Sequence, residues 1–408
     1  MTTFPDGFLW GASTAGHQVE GNNTNSDWWA KEQQAPGMEL SLDACDSYHR
    51  FDEDIALLAE AGLTSYRFSL EWSRIEPIPG HFSRAELAHY RRMIDACLDR
   101  GVTPVVTLQH FTTPRWFAEA GGWTADDAEE RFVRYATEAT RILEGVEWVA
   151  TMNEPNMQAA IMTAMRRMAA GADDEWTSPT VEREQTEEER QRRSRNFLAY
   201  ADPEIGRRFT RVHHAARDVV RERTGAKVGW TVAAGALTAA PGGEEKLLEV
   251  RYGKEDVYWE GSRSDDWVGV QAYSSQEVDE HGPVPHPDLP DNTLVGTSYR
   301  PDSLGMAVRH AHETTQGVPI LVTENGIATS DDAQRVRYTT EALEGLRAAI
   351  ADGVDVRGYL HWSLLDNFEW GHWRPTFGLI AVDRVTFVRT PKPSLSWLGD
   401  IARRNGLA

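Results

Sequence analysis

The sequence predicts a (β/α)8 barrel, and three observations carry that expectation. Short apolar runs alternate with helical patterns along the 408 residues. No G-x-G-x-x-G or P-loop follows an early strand, as an open doubly wound sheet would require. Polar and aromatic residues gather just beyond the expected strand ends, where a barrel opens. The expected strands are Phe8–Ala12, Ser65–Leu70, Pro104–Leu108, Val146–Met152, Lys227–Ala233, Trp267–Tyr273, Pro319–Thr323 and Arg357–Trp362. Each is an apolar, partly β-branched run that stops at polar or turn-forming residues. Between them, Ile55 and Leu58 in Phe51–Ala61, and Leu87, Tyr90, Ile94 and Leu98 in Arg84–Arg100, recur at helical spacing. Gly62 and Gly101 follow as helix stops.

With no repeat and no Gly/Ser- or Pro-rich linker, residues 1–408 read as one barrel domain. One stretch breaks the rhythm. Asp173–Asn196 is dense in Glu and Arg, and reads either as a solvated helix laced with ion pairs or as a flap beside the barrel mouth.

The formal net charge of −21 argues against nucleic acid or an anionic membrane as partner. No apolar run is long enough to span a bilayer. Cys45 and Cys97 are the only cysteines, which excludes a disulfide framework or a cysteine zinc site. Met1–Gly7 has no basic region followed by an apolar stretch, so a cytoplasmic location is expected. Nothing in the sequence fixes the oligomeric state.

The strand ends carry the chemistry. Gln18 and Glu20 follow the first strand, Arg67 lies near the end of the second, and His110 follows the third. Asn153 and Glu154 come from the fourth, Gln271 and Tyr273 from the sixth, and Glu324 and Asn325 from the seventh. Trp362 ends the eighth, with Asp366, Asn367, Glu369 and Trp370 just beyond. A lone His110 or Arg67 is readily a satisfied structural group; six or more such residues on one rim form a site. Glu154 and Glu324, far apart in the chain, become a carboxylate pair only on folding. Paired carboxylates are the machinery of glycoside hydrolysis.

Phe4–Gly11, Gln18–Gly21, Tyr66–Ser69, Thr151–Pro155, Thr323–Gly326 and Trp362–Trp370 together resemble glycoside hydrolase family 1, the family of β-glucosidases and β-galactosidases. The similarity runs in the family's order from about Phe4 to about Leu398. It implies a retaining exo-β-glycosidase acting on small β-glycosides or oligosaccharides, without cofactor or metal. On this resemblance Glu154 is the acid/base and Glu324 the nucleophile, two carboxyls that retaining enzymes hold about 5–5.5 Å apart. Arg67 and Tyr273 match the family's supports for the nucleophile. Asn153 matches the partner of the sugar 2-hydroxyl, and Gln18, His110, Glu369 and Trp370 the binders of the other hydroxyls. Trp362 is expected to lay its face against the pyranose with its N–H free to donate. A carboxylate at Glu369 is expected to repel a phosphorylated sugar.

The chain departs from the family pattern at His17, where tyrosine is frequent, and at Phe111, where tryptophan is usual. Gln271 stands in place of an asparagine, and Thr297 where a tryptophan often follows the glycine. The loop Gly371–Thr376 is one residue shorter than common. Three other readings compete. A metal enzyme would need a ligand spacing that His213-His214 and His310/His312 do not supply. A noncatalytic sugar-binding barrel is expected to have lost one carboxylate. A transglycosidase shares all of the chemistry.

Overall fold

The computed structural model describes residues 3–169 and 200–407, so the charged stretch Asp173–Asn196 lies outside the described residues. Eight parallel strands close into a barrel: β1 (Leu9–Ser13), β2 (Ser65–Ser69), β3 (Thr103–Thr107), β4 (Trp148–Asn153), β5 (Lys227–Ala233), β6 (Val268–Gln271), β7 (Ile320–Asn325) and β8 (Val356–Trp362). Each pairs with its neighbours in chain order, and β8 closes on β1 with Leu9 opposite Gly358 and Ser13 opposite Trp362. The expected fold class is the observed one.

Strand bounds differ from the expected ones for local reasons. The Val146 N–H bonds back to the Leu143 carbonyl and closes a turn, so β4 starts two residues later. Pro319 has no N–H to give to a ladder, and β7 begins at Ile320. Tyr273 stands past the end of β6, on the loop above the rim. The two sequence-expected helices form as Ser47–Glu60 and Arg84–Asp99, and Gly62 and Gly101 follow them with φ of +94° and +68°, values that favour glycine.

Two apolar layers hold the barrel. A large one lies between the strands and the surrounding helices. A small one fills the barrel floor with Val105, Trp148, Ala150, Trp267, Leu321 and Leu360. Above that floor the inward residues turn polar. Among the described residues no helix is long and apolar enough to cross a membrane.

Two irregularities aim the rim. On β4 the register with β5 runs from Ala150 opposite Gly229 to Asn153 opposite Thr231, one residue more on β4 than on β5. On β7 the register with β6 runs from Val322 opposite Val270 to Glu324 opposite Gln271, again with one extra residue. Such bulges rotate the following side chain to the other face of a strand. Ala150 and Leu321 point into the floor, and the extra residues bring Asn153 and Glu324 inward as well.

Candidate active site

The rim assembles from the strand ends upward. Arg67, on β2, is fully buried and divides its guanidinium three ways. Nη1 donates to Glu324 Oε1 at 2.6 Å, Nη2 donates to Asn153 Oδ1, and Nε donates to Thr107 Oγ1 at 3.0 Å. The Tyr273 hydroxyl donates to the other Glu324 oxygen at 2.5 Å. Glu324 is thus held on both oxygens by a cation and a phenol. Burial raises its carboxyl above the usual range, while Arg67 and Tyr273 pull it back down.

Glu154 has a different environment. It follows β4 with a left-handed backbone, φ +43°, and its N–H is fixed to the Thr231 carbonyl at 2.9 Å. Pro155 opens the next helix, Pro155–Ala169, directly behind it. Among the described residues no donor forms a hydrogen bond to its carboxyl, and the side chain is partly open to the barrel mouth. Burial and the neighbouring Glu324 charge push it well above the usual carboxylate range, with Arg67 opposing. Two carboxyls close enough to feel each other therefore differ in proton affinity, and Glu324 ionises first.

Around this pair the structure places the other sequence-picked residues. Asn153 accepts at Oδ1 from Arg67, Thr231 and Gln271, and its Nδ2 is buried without a partner. Gln18 Nε2 donates to Asn367 Oδ1, the Phe368 carbonyl and Glu369 Oε2, leaving Oε1 unpartnered. His110 also has a buried, unpartnered Nδ1, and burial with the Arg67 charge holds its ring neutral, well below the usual histidine range. Buried polar atoms left unpaired in the free protein are costly, and those of a binding site are paid back by a ligand.

The Trp362 N–H is not spare, contrary to expectation: it donates to Glu369 Oε1 at 3.2 Å. Glu369 itself is pushed up to about 8 by burial, with the Trp362 bond opposing and the Glu324 charge adding. Burial thus favours its protonated form, which can donate as well as accept. The negative charge expected to repel a phosphorylated sugar is correspondingly weakened there.

The aromatic wall is a stack. His17 lies parallel to Trp370, with rings 8° apart in tilt, Trp370 to His110 at 17°, and His110 to Trp362 at 25°. Phe111 and Trp28 meet Trp370 edge-on. Phe111 and Trp370, like Glu154, keep a positive φ, so three rim residues hold strained backbone where the pocket needs them.

Sequence reasoning passed over several supports. Thr107 and Thr231 sit inside strands and look like ordinary β-formers, yet they orient Arg67 and Asn153. Glu71, fully buried, accepts from His17 N, Asn23 Nδ2 and Thr112 Oγ1, and so ties the loop of Gln18 to the loop of His110. Its position just past the end of β2 was the available signal. Glu20, a rim candidate by position, turns instead to Arg74 and Tyr90. His213, His214 and Asp265 bring ligand-type atoms within 4.8 Å of one another. They bond to protein: His213 to Thr151 and Asp265, His214 to the Gly261 carbonyl, and Asp265 to Arg217. That donor set fits a structural network rather than a metal.

Comparison with known proteins agrees with this geometry. The model of glycosyl hydrolase family 1 matches residues 1–203 and 260–407. A thermostable β-glucosidase B of Thermobispora bispora is 33% identical, over 99% of this chain and 92% of its own length. The crystal structure of the β-glycosidase BGL167 superposes with a TM-score of 0.86 at 41% identity, covering 99% of this chain and 98% of that one. A β-glycosidase from Pyrococcus horikoshii superposes with a TM-score of 0.84 at 31% identity, covering 100% of this chain and 97% of its own. The chain belongs to glycosyl hydrolase family 1 and is a β-glycosidase.

Proposed function

We propose that the chain cleaves terminal β-linked glucosides or related β-pyranosides by double displacement, with Glu324 as nucleophile and Glu154 as acid and base. The observation that carries this reading is the unequal treatment of the two carboxyls. Glu324 is gripped by Arg67 and Tyr273, and among the described residues Glu154 is left without a donor. In the first step Glu324 attacks the anomeric carbon while Glu154 gives its proton to the departing oxygen. Esterified Glu324 no longer carries charge, so the neighbouring negative charge that helps hold the Glu154 proton is gone. Glu154 then takes a proton from water as that water attacks, and Glu324 leaves as carboxylate. The Tyr273 hydroxyl, pushed well above its ordinary pKa by burial and the Glu324 charge, stays protonated and remains a donor throughout.

Among the described residues Asn153 Nδ2 is free for the sugar 2-hydroxyl, and Gln18 Oε1 and His110 Nδ1 for the others, beside Glu369, whose oxygens already accept from Trp362 and Gln18. Trp362 supplies an apolar face. The β-glucosidase and β-glycosidase names of the relatives support the substrate class. The test is the anomer first formed from 4-nitrophenyl β-glucoside, followed by proton NMR. β-Glucose is expected ahead of mutarotation, and α-glucose as first product would end the proposal.

The carboxyl pair also sets a pH profile. Glu324 must be ionised, so kcat/KM falls as pH drops through its pKa, which lies above the ordinary glutamate value. Glu154 must be protonated, so the rate falls again as pH rises through its higher one. The two limbs belong to the pair. Glu154→Gln, assayed with a 2,4-dinitrophenyl glucoside, is expected to lose the alkaline limb and keep the acid one. An alkaline limb unchanged in that variant would assign it to another group.

A further inference from the structure

Gln271 is the departure from the family pattern whose side chain hydrogen-bonds to Asn153. It ends β6 with 1% of its surface exposed, and the bulge on β7 sets it opposite Glu324. Its side chain makes a single hydrogen bond among the described residues, from Nε2 to Asn153 Oδ1 at 2.9 Å. Its own Oε1 is buried without a partner. A methionine of nearly the same shape would avoid that unpaired oxygen, so stability does not explain an amide here. The bond to Asn153 does.

An asparagine amide presents an oxygen on one side and an NH2 on the other, and hydrogen bonds decide which faces where. Three donors converge on Asn153 Oδ1: Arg67 Nη2, Thr231 Oγ1 and Gln271 Nε2. Two have other duties. Arg67 also holds Glu324, and the Thr231 hydroxyl also lies 3.4 Å from the Glu154 N–H. A hydroxyl can in addition turn and accept, which would let the amide rotate. Gln271 alone is given wholly to Asn153. Reaching it means crossing β5, which lies between β4 and β6. Gly269, on the same inward face, leaves the space that Thr231 fills below, since a Cβ there would lie 2.6 Å from Thr231 Cγ2. The extra methylene of glutamine over asparagine supplies the reach above it.

We propose that Gln271 is a positioning residue for the sugar 2-hydroxyl: by donating to Asn153 Oδ1 it keeps Nδ2 turned toward the substrate. It does so in both half-reactions, including the stage at which esterified Glu324 has lost the charge that pairs with Arg67. The proposal rests on the reading of Asn153 as the 2-hydroxyl's partner.

The experiment compares 4-nitrophenyl β-glucoside with its 2-deoxy analogue, using the parent enzyme, Asn153→Ala, Gln271→Met and the double variant. Asn153→Ala is expected to lose about 100-fold or more in kcat/KM on the glucoside and little on the 2-deoxy substrate. Gln271→Met is expected to lose about 10-fold on the glucoside, chiefly in kcat, and to stay within about twofold on the 2-deoxy substrate. The double variant should be no slower than Asn153→Ala alone. Activity on the 2-deoxy substrate reports that Gln271→Met is folded. If that variant does not fold, Gln271→Asn withdraws the donor by one methylene and is expected to show the same selective loss, smaller in size. Equal loss on both substrates, or no loss on either, overturns the proposal while leaving the role of Asn153 intact. Absence of selective loss in Asn153→Ala itself would overturn the 2-hydroxyl reading and this proposal with it.

Discussion

Replacing Glu324 with alanine is expected to lower turnover of 4-nitrophenyl β-glucoside by about 10⁴- to 10⁶-fold, the scale on which loss of a covalent nucleophile is felt. The structure adds a second expectation. Without the carboxylate, the fully buried Arg67 guanidinium loses its ion pair and Tyr273 its acceptor. An unpaired buried cation attracts a small anion. Azide or formate should therefore enter beside Arg67 and attack the anomeric carbon from the face Glu324 used. Activity should return in proportion to the anion concentration, and the azide product should be the α-glycosyl azide, inverted relative to substrate. Chromatography and NMR of that product check the geometry as well as the rate. Hydrolysis within tenfold of the parent rate would remove Glu324 from the reaction.

The second large effect belongs to Glu154 and depends on the substrate. A 2,4-dinitrophenolate departs without a proton, whereas a phenol or a sugar alcohol needs one. Glu154→Ala is expected to form the glycosyl-enzyme from the dinitrophenyl glucoside at near the parent rate, and to lose about 10³- to 10⁴-fold on phenyl β-glucoside or a disaccharide. Because the same carboxyl activates water in the second step, the intermediate should accumulate and a burst of dinitrophenolate should precede a slow steady state. Azide should accelerate that second step and yield the β-glycosyl azide, the opposite anomer from the Glu324 variant. An equal loss across leaving groups would mean that Glu154 acts on something other than proton transfer.

The barrel was legible because its signals are local. Apolar runs of strand length, helical periodicity between them and glycine stops each arise within a short window, and together they leave few topologies. The residues that converge on Glu324 were visible as strand-end polar groups, since a parallel barrel turns all its strand ends to one rim. What stayed hidden was which atoms of those residues are already taken. The indole N–H of Trp362 engages Glu369 because a chain turn brings residue 369 back over residue 362, which no local pattern announces. Thr107 and Thr231 carry no mark that separates them from other β-branched strand residues, and their role arises only from being across the sheet from Arg67 and Asn153. Glu20 was misplaced by the same limit, because a helical turn after β1 swings it toward Arg74.

The extra residues in β4 and β7 loosen the link between chemistry and core. In a regular strand, the side that a reactive residue faces is dictated by the alternation that builds the hydrophobic interior, so every change to one threatens the other. Here the phase is reset just before Asn153 and Glu324. The lower halves of both strands can be repacked without turning these groups away, whereas deleting a single residue from either reset would send its side chain outward among the helices and silence an otherwise intact fold.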